Sequence, residues 1–171
     1  MKYFVITKKQ LMYVLVFALT AIVGLVCSVN IFATNDRLLP IYCVETDKKQ
    51  VAISFDAAWG NDDTQQLIDI LGEYDVPATF FVVGAWVDKY PESVKALSDA
   101  GHQIQNHSNT HPHMPQLSRA QMKDEITCCN EKIKQITGVE PTLLRPPYGD
   151  YDNALIETMN ELKMATIQWD V

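Results

Sequence analysis

The sequence predicts an α/β fold in which parallel strands are covered by helices. Two observations carry this. From Gln50 onward, short apolar runs alternate with amphipathic stretches, a β-α-β-α rhythm that favours parallel pairing with helical crossovers. Three polar segments also begin where apolar runs end, and sites in parallel α/β folds gather at the carboxyl ends of strands. A barrel and a doubly wound sheet both fit this pattern.

The elements follow in order. Val51-Ala52-Ile53-Ser54-Phe55 reads as a short buried strand. Asp62 or Asp63 caps a helix running to about Tyr74, with Leu67, Ile68, Ile70 and Leu71 facing inward. Residues 78–83, Ala-Thr-Phe-Phe-Val-Val, form a second buried strand. Pro91 fits the first turn of a helix ending near Ala100-Gly101. His102 to Gln105 is a brief strand. Ser118 with Gln121 three residues on has the capping-box pattern, and Gly138 closes that helix. Residues 142–145 form a strand, and a helix from about Asp152 to Lys163 turns Leu155, Ile156, Met159 and Leu162 inward. Ala165 to Trp169 is the last strand.

Ahead of this domain, residues 11–32 carry no charged side chain. A membrane-spanning helix needs roughly 20 mostly apolar residues. Lys2, Lys8 and Lys9 precede the run, so the positive-inside bias puts residues 1–10 in the cytoplasm and the body outside. A cleaved signal peptide would have an apolar region of only about 7–15 residues. The expectation is a single-pass anchor at the cell membrane over residues 11–32, a linker over 33–48, and a domain over 49–171.

All 21 acidic residues lie at Asp36 or beyond, and the net charge is −7. An acidic body does not favour nucleic acid, whose binding rests on neutralising phosphates. No Cys-x-x-Cys occurs among the four cysteines, which argues against a structural zinc site. Cys43 could bridge to Cys128 or Cys129; the alternative is free buried thiols.

The chemistry sits in three segments. His107-Ser-Asn-Thr-His111-Pro112 sets two imidazoles four residues apart, a pair that can hold a metal ion from one side. Pro112 biases His111 away from helix, so the pair belongs to a loop. His102 and His113 read as strand-packing or surface residues. Asp56, at the end of an apolar strand, suits a general base and equally a turn cap. Arg145, at another strand end, could pin a carboxylate by a two-pronged bond. Tyr148 lies in the turn after Pro146-Pro147 and suits a substrate pocket or simple packing. Trp59 and Trp86 offer faces for a sugar ring or for the core.

These segments resemble motifs of the polysaccharide deacetylase family, carbohydrate esterase family four, in the branch found in spore-forming bacteria. Ser54-Phe55-Asp56-Ala57-Ala58-Trp59-Gly60 is similar to the first motif, Thr-Phe-Asp-Asp-Gly-Pro. His107, Ser108, His111 and Pro112 match the second, and Arg145, Pro147, Tyr148 and Gly149 the third. The resemblance covers roughly residues 49–171. It implies a deformed (β/α) barrel of parallel strands and a divalent metal, zinc first and cobalt as an alternative. The reaction it implies is hydrolysis of N-acetyl groups on an aminosugar polymer such as peptidoglycan or chitin. Asp56 would then be the base, His107 and His111 metal ligands, Arg145 the group orienting Asp56, and the Tyr148 backbone an oxyanion donor.

Two departures stand out. Ala57 occupies the place of the family's second aspartate, its third metal ligand, and alanine cannot bind a metal. Asp62, just beyond, is the expected substitute. The family's leucine-x-histidine segment does not occur, so residues 49–171 read as a C-terminally incomplete domain. The implied function is deacetylation of a wall polymer, with a glycan-binding relative that does not hydrolyse as the alternative.

Overall fold

The computed structural model describes residues 7–31 and 36–170, with side chains through Ile22 in the first stretch. The chain divides into two compact units, Met1–Asp36 and Arg37–Val171. The first contains helix α1, Lys8–Ile31. Among the described residues no helix is long and apolar enough to cross a membrane. Residues 23–32 of the span expected over 11–32 lie outside the residues described with side chains.

Among its described residues the second unit contains five parallel strands and five further α-helices, with two single-turn 3-10 helices at Met114–Gln116 and Pro147–Gly149. The strands are β1 (Ser54–Ala57), β2 (Thr79–Val82), β3 (Gln103–Asn106), β4 (Leu143–Leu144) and β5 (Ala165–Thr166). The helices are α2 (Thr64–Glu73), α3 (Gly84–Lys89), α4 (Pro91–Asp99), α5 (Arg119–Thr137) and α6 (Asn153–Glu161). Strand order in the sheet is β1-β2-β3-β4-β5, all pairs parallel. Each strand lies beside its predecessor, with none of the order reversal that defines a doubly wound sheet. Sequential winding of this kind is what a deformed barrel requires.

Local rules account for the best-defined element. Ser118 accepts from the Gln121 backbone while the Gln121 side chain accepts from the Ser118 backbone, so two otherwise orphaned N–H groups are satisfied. Gly138 at φ +74° closes α5, a left-handed conformation that glycine adopts without a Cβ penalty. At α6 the Asp152 carboxylate caps by accepting from Leu155 N. Asp63 precedes α2 but makes no side-chain cap bond.

Several expectations shift. The first strand begins at Ser54 rather than Val51, because Ser54 is the first residue in register with β2; Val51 is exposed. Asp56 thus lies within β1 rather than after it. Ile70 is exposed while Leu71 of the same helix is buried. Helix α3 was not anticipated: at six residues it is too short for a periodicity to show. The expected linker is tied to the domain from Arg37 onward. Leu38 N donates to Asn153 Oδ1, and Ile41 bridges Ile167 in parallel, covering the β5 side of the sheet. The described cysteines are free: Cys43 exposed, Cys128 half-buried and Cys129 buried.

The core has two clusters. One packs Phe80, Val82, Trp86, Val87, Val94 and Leu97. The other packs Met114, Met122, Ile126, Leu144, Leu155 and Met159. Full burial of one such side chain stabilises by about 1.5–3 kcal/mol. These clusters fix the strands whose ends carry the polar residues.

Candidate active site

Asp56, His107, His111, Arg145 and Tyr148 converge, although they come from three separate segments. Arg145 follows β4, yet its Nη1 donates to Asp56 Oδ1 on β1 at 2.8 Å. On a flat sheet, strands three places apart lie about 14 Å from one another. The contact draws on nearly the full reach of the Arg145 side chain across the two intervening strands. The guanidinium crosses β2 on the way, 4.1 Å from the centroid of the Phe81 ring, a favourable cation–π placement.

The expected two-pronged grip on one carboxylate is not what forms. Nη2 donates to Ser54 Oγ at 2.7 Å instead. Strand β1 places Ser54 and Asp56 on the same face, two residues apart, so the fork spans both. Arg145 is also deeply buried, with side-chain exposure of 6% against 33% for Asp56. Ser54 was not singled out from sequence, and its i, i+2 relation to Asp56 was the available signal.

The histidines form the other wall. His107 is buried, and its Nδ1 lies 2.7 Å from the Arg145 carbonyl oxygen. A carbonyl only accepts, so Nδ1 carries the proton and Nε2 carries the lone pair. Nε2 faces Asp56 Oδ2 at 3.9 Å. Two acceptors facing each other across that gap suit a donor such as water between them. Burial pushes the His107 pKa down, against the Asp56 charge, which raises it. Burial also lowers the His111 pKa. Both rings therefore favour the neutral form that can bind a cation or accept a proton.

The loop between the histidines is held in an unusual backbone conformation. Ser108 (φ +66°) and His111 (φ +63°) are both left-handed without being glycine. Asn106 Oδ1 accepts from Ser108 N at 2.7 Å, and Ser108 Oγ accepts from His111 N at 3.0 Å. The His107 and His111 ring centroids lie 4.9 Å apart. Around His111 stand Trp59, edge-on at 5.7 Å, and Tyr148, edge-on at 4.6 Å. Tyr148, at φ +59°, stacks in turn on His113, whose Nδ1 pairs with Asp150 at 3.0 Å. His102 is a packing residue, as expected, against Phe80.

The structure does not gather Asp62 with the histidines. Among the described residues no group of three His, Cys, Asp or Glu is arranged to hold a metal ion. The local reason is the turn that enters α2. Thr64 N donates to Asn61 O, and Asn61 Nδ2 is tied to Ser93 Oγ. Asp62 instead lines a cleft beside β1 with Asp56, Trp59 and Trp86, a volume of about 480 Å³. Catalytic zinc sites ordinarily have three protein ligands. Two imidazoles with Ala57 beside them do not by themselves fit such an ion.

Comparison with known proteins gives a consistent picture. A family model described as polysaccharide deacetylase matches residues 44–167. The chain is 37% identical over 132 residues to the uncharacterized protein YlxY of Bacillus subtilis, covering 77% of this chain and 41% of that one. It is 35% identical over 131 residues to the peptidoglycan-N-acetylmuramic acid deacetylase PdaA of the same organism, covering 76% and 50%. Among solved structures, a pseudoenzyme of carbohydrate esterase family four from Bacillus anthracis superposes with a TM-score of 0.74 at 34% identity, covering 77% and 47%. The chain spans about half the length of the curated relatives it matches.

Proposed function

The chain belongs to the polysaccharide deacetylase family, and from that premise we propose that it hydrolyses N-acetyl groups on an aminosugar polymer of the cell wall or spore wall, peptidoglycan first. The observation that carries this reading is the Asp56–Arg145 pair facing His107 across 3.9 Å. The relatives named as peptidoglycan deacetylases support the substrate class.

In this reading Arg145 and Ser54 fix the direction of Asp56. Its free Oδ2 accepts a proton from water as that water attacks the acetyl carbonyl carbon. The amide C–N bond then breaks as its nitrogen takes the proton held by Asp56, leaving acetate and an amine on the sugar. The Tyr148 backbone N–H serves the developing oxyanion, since the Gly149 and Asp150 amides donate within the turn. Trp59 and Tyr148, both well exposed, provide faces for sugar rings.

The family generally uses a divalent metal, and zinc or cobalt dependence is part of the proposal. It requires a third donor beyond the two histidines. Placement outside the cytoplasm, held at the cell membrane by residues 11–32, belongs to it as well. Its support is the uncharged run after Lys8 and Lys9; protease accessibility of the domain on intact cells tests it.

Ala57 favours a second reading, a relative that binds glycan without hydrolysing it. Acetate release from purified peptidoglycan and from chitin oligomers, with zinc or cobalt supplied, decides between them. Release that is lost in Asp56→Asn supports the enzyme. Glycan binding with no release under any metal would leave only the second reading.

A further inference from the structure

Helix α5 sends one carboxylate into the histidine loop. Glu125 Oε2 accepts from Asn109 N at 2.9 Å and from Thr110 N at 2.8 Å. Its Oε1 accepts from Thr110 Oγ1 at 2.8 Å. These are the amides of the two residues immediately before His111. We propose that Glu125 is a positioning residue that sets the direction of the His111 ring toward His107 and Asp56.

The reasoning starts from the backbone. His111 occupies a left-handed conformation and precedes Pro112, so two local preferences compete at one residue. Such a conformation persists only where surrounding contacts over-determine it. Ser108 Oγ fixes the amide of His111 itself. Ala85 N donates to Asn109 O, and Lys132 Nζ donates to Asn109 Oδ1. Those bonds hold Asn109 from its carbonyl and side chain and leave the Asn109 and Thr110 amides to Glu125. A carboxylate accepting two successive amides fixes both peptide planes at once, as a charge-assisted pair. Thr110 is exposed, so without Glu125 its amide would turn to water at little cost. The loop would then lose the constraint that aims His111. As a positioning role the inference rests on the proposed hydrolysis, but the ring direction it predicts does not.

The test uses the full chain and two variants. Glu125→Ala removes both acceptor oxygens and with them all three hydrogen bonds. Glu125→Gln keeps one oxygen for the amides and an NH2 group that can donate to Thr110 Oγ1 once that hydroxyl rotates. Imidazole NMR signals report ring placement without substrate or metal. The expected result is a displaced His111 signal in Glu125→Ala, with His102 unchanged, and a near-normal signal in Glu125→Gln. Where acetate release is measurable, kcat should fall by about tenfold or more in Glu125→Ala with KM held within about threefold, and Glu125→Gln should recover most of it. Lys134→Ala breaks a different ion pair of α5 and should move neither readout. An unchanged His111 signal in Glu125→Ala overturns the proposal, as does a Glu125→Gln variant as impaired as the alanine. Absence of acetate release in every variant with the NMR pattern intact would instead count against the hydrolytic reading alone.

Discussion

Arg145 donates to Asp56 across 2.8 Å although 89 residues separate them in sequence and two strands lie between theirs in the sheet. This one contact joins the first and third polar segments of the chain. Because Arg145 is buried and Asp56 is one-third exposed, removing the guanidinium strands a carboxylate that water reaches in part. Arg145→Met should cost about 1–3 kcal/mol, below the 3–5 kcal/mol of a fully buried pair. Urea denaturation measures it, and an unchanged midpoint would show the pair to be energetically idle. Arg145→Lys should fall short of rescue, since a single ammonium cannot span Ser54 and Asp56 as the fork does.

The missing donor can be supplied. Ala57→Asp puts a carboxylate where the resemblance places the third metal ligand, on the strand that carries Asp56. Calorimetry with zinc should show binding at least about tenfold tighter than in the parent chain, consistent with a third ligand completing the set. Equal affinity in both proteins would mean that position 57 does not face the histidines. Asp62→Ala in the parent chain is the companion measurement, and it should leave zinc affinity unchanged, because the α2 entry turn keeps Asp62 away from the pair.

Acid should weaken the fold through its histidines. Burial lowers the pKa of His102, His107 and His111 from the ordinary 6.5. The unfolded chain therefore binds more protons than the folded chain below about pH 6.5, and stability rises with pH in that window. Stability is full above pH 6.5 and is lost progressively as pH falls toward the lowered folded values. Urea midpoints between pH 7.5 and 5 should decline, and the decline should shrink in His102→Gln. A flat profile would contradict the burial of these rings.

Gly84 has a packing role that its sequence position does not advertise. A Cβ there would collide with Asn109 Oδ1 and lie 3.0 Å from Asn109 Cα. The histidine loop thus lies directly against the start of α3. Gly84→Ala should destabilise by about 1–3 kcal/mol, the usual range for overpacking, and should shift the His111 signal. Thermal unfolding together with the imidazole spectrum checks both effects.

Thiol reactivity offers a simple check on the core. Burial pushes the Cys129 thiol up to about 12, and its Sγ donates to Val82 O. In a Cys27→Ser, Cys128→Ser background, a thiol reagent should label Cys43, which is exposed, within minutes and leave Cys129 unlabelled until denaturant is added. Equal labelling of both would mean that the β2–α5 contact opens readily.

Much of the fold could be read residue by residue. The α5 boundaries followed from Ser118, Gln121 and Gly138, because capping is a local interaction between neighbours in the chain. The order of strands and helices followed from apolar period and length. Strand limits were less legible: Val51 and Ile53 look as apolar as Phe55, and only pairing with Thr79 decides where β1 begins. Helix α3 and the docking of residues 37–41 left no periodic signal at all.

The amino-acid order supplied the kinds of group available: two imidazoles four residues apart, a carboxylate at 56, a guanidinium at 145 and an alanine at 57. These are covalent facts and need no geometry. Tertiary structure decided which of them meet. Parallel packing of the strands brings Arg145 over Phe81 to Asp56, divides its fork between Ser54 and Asp56, and sets His107 Nε2 3.9 Å from the same carboxylate. It also decided that Asp62 stays in the α2 turn and that Glu125, unremarkable in the chain, grips the histidine loop. The reason is that side-chain contacts between distant segments depend on strand register and sheet curvature, and neither is encoded by any short stretch of residues.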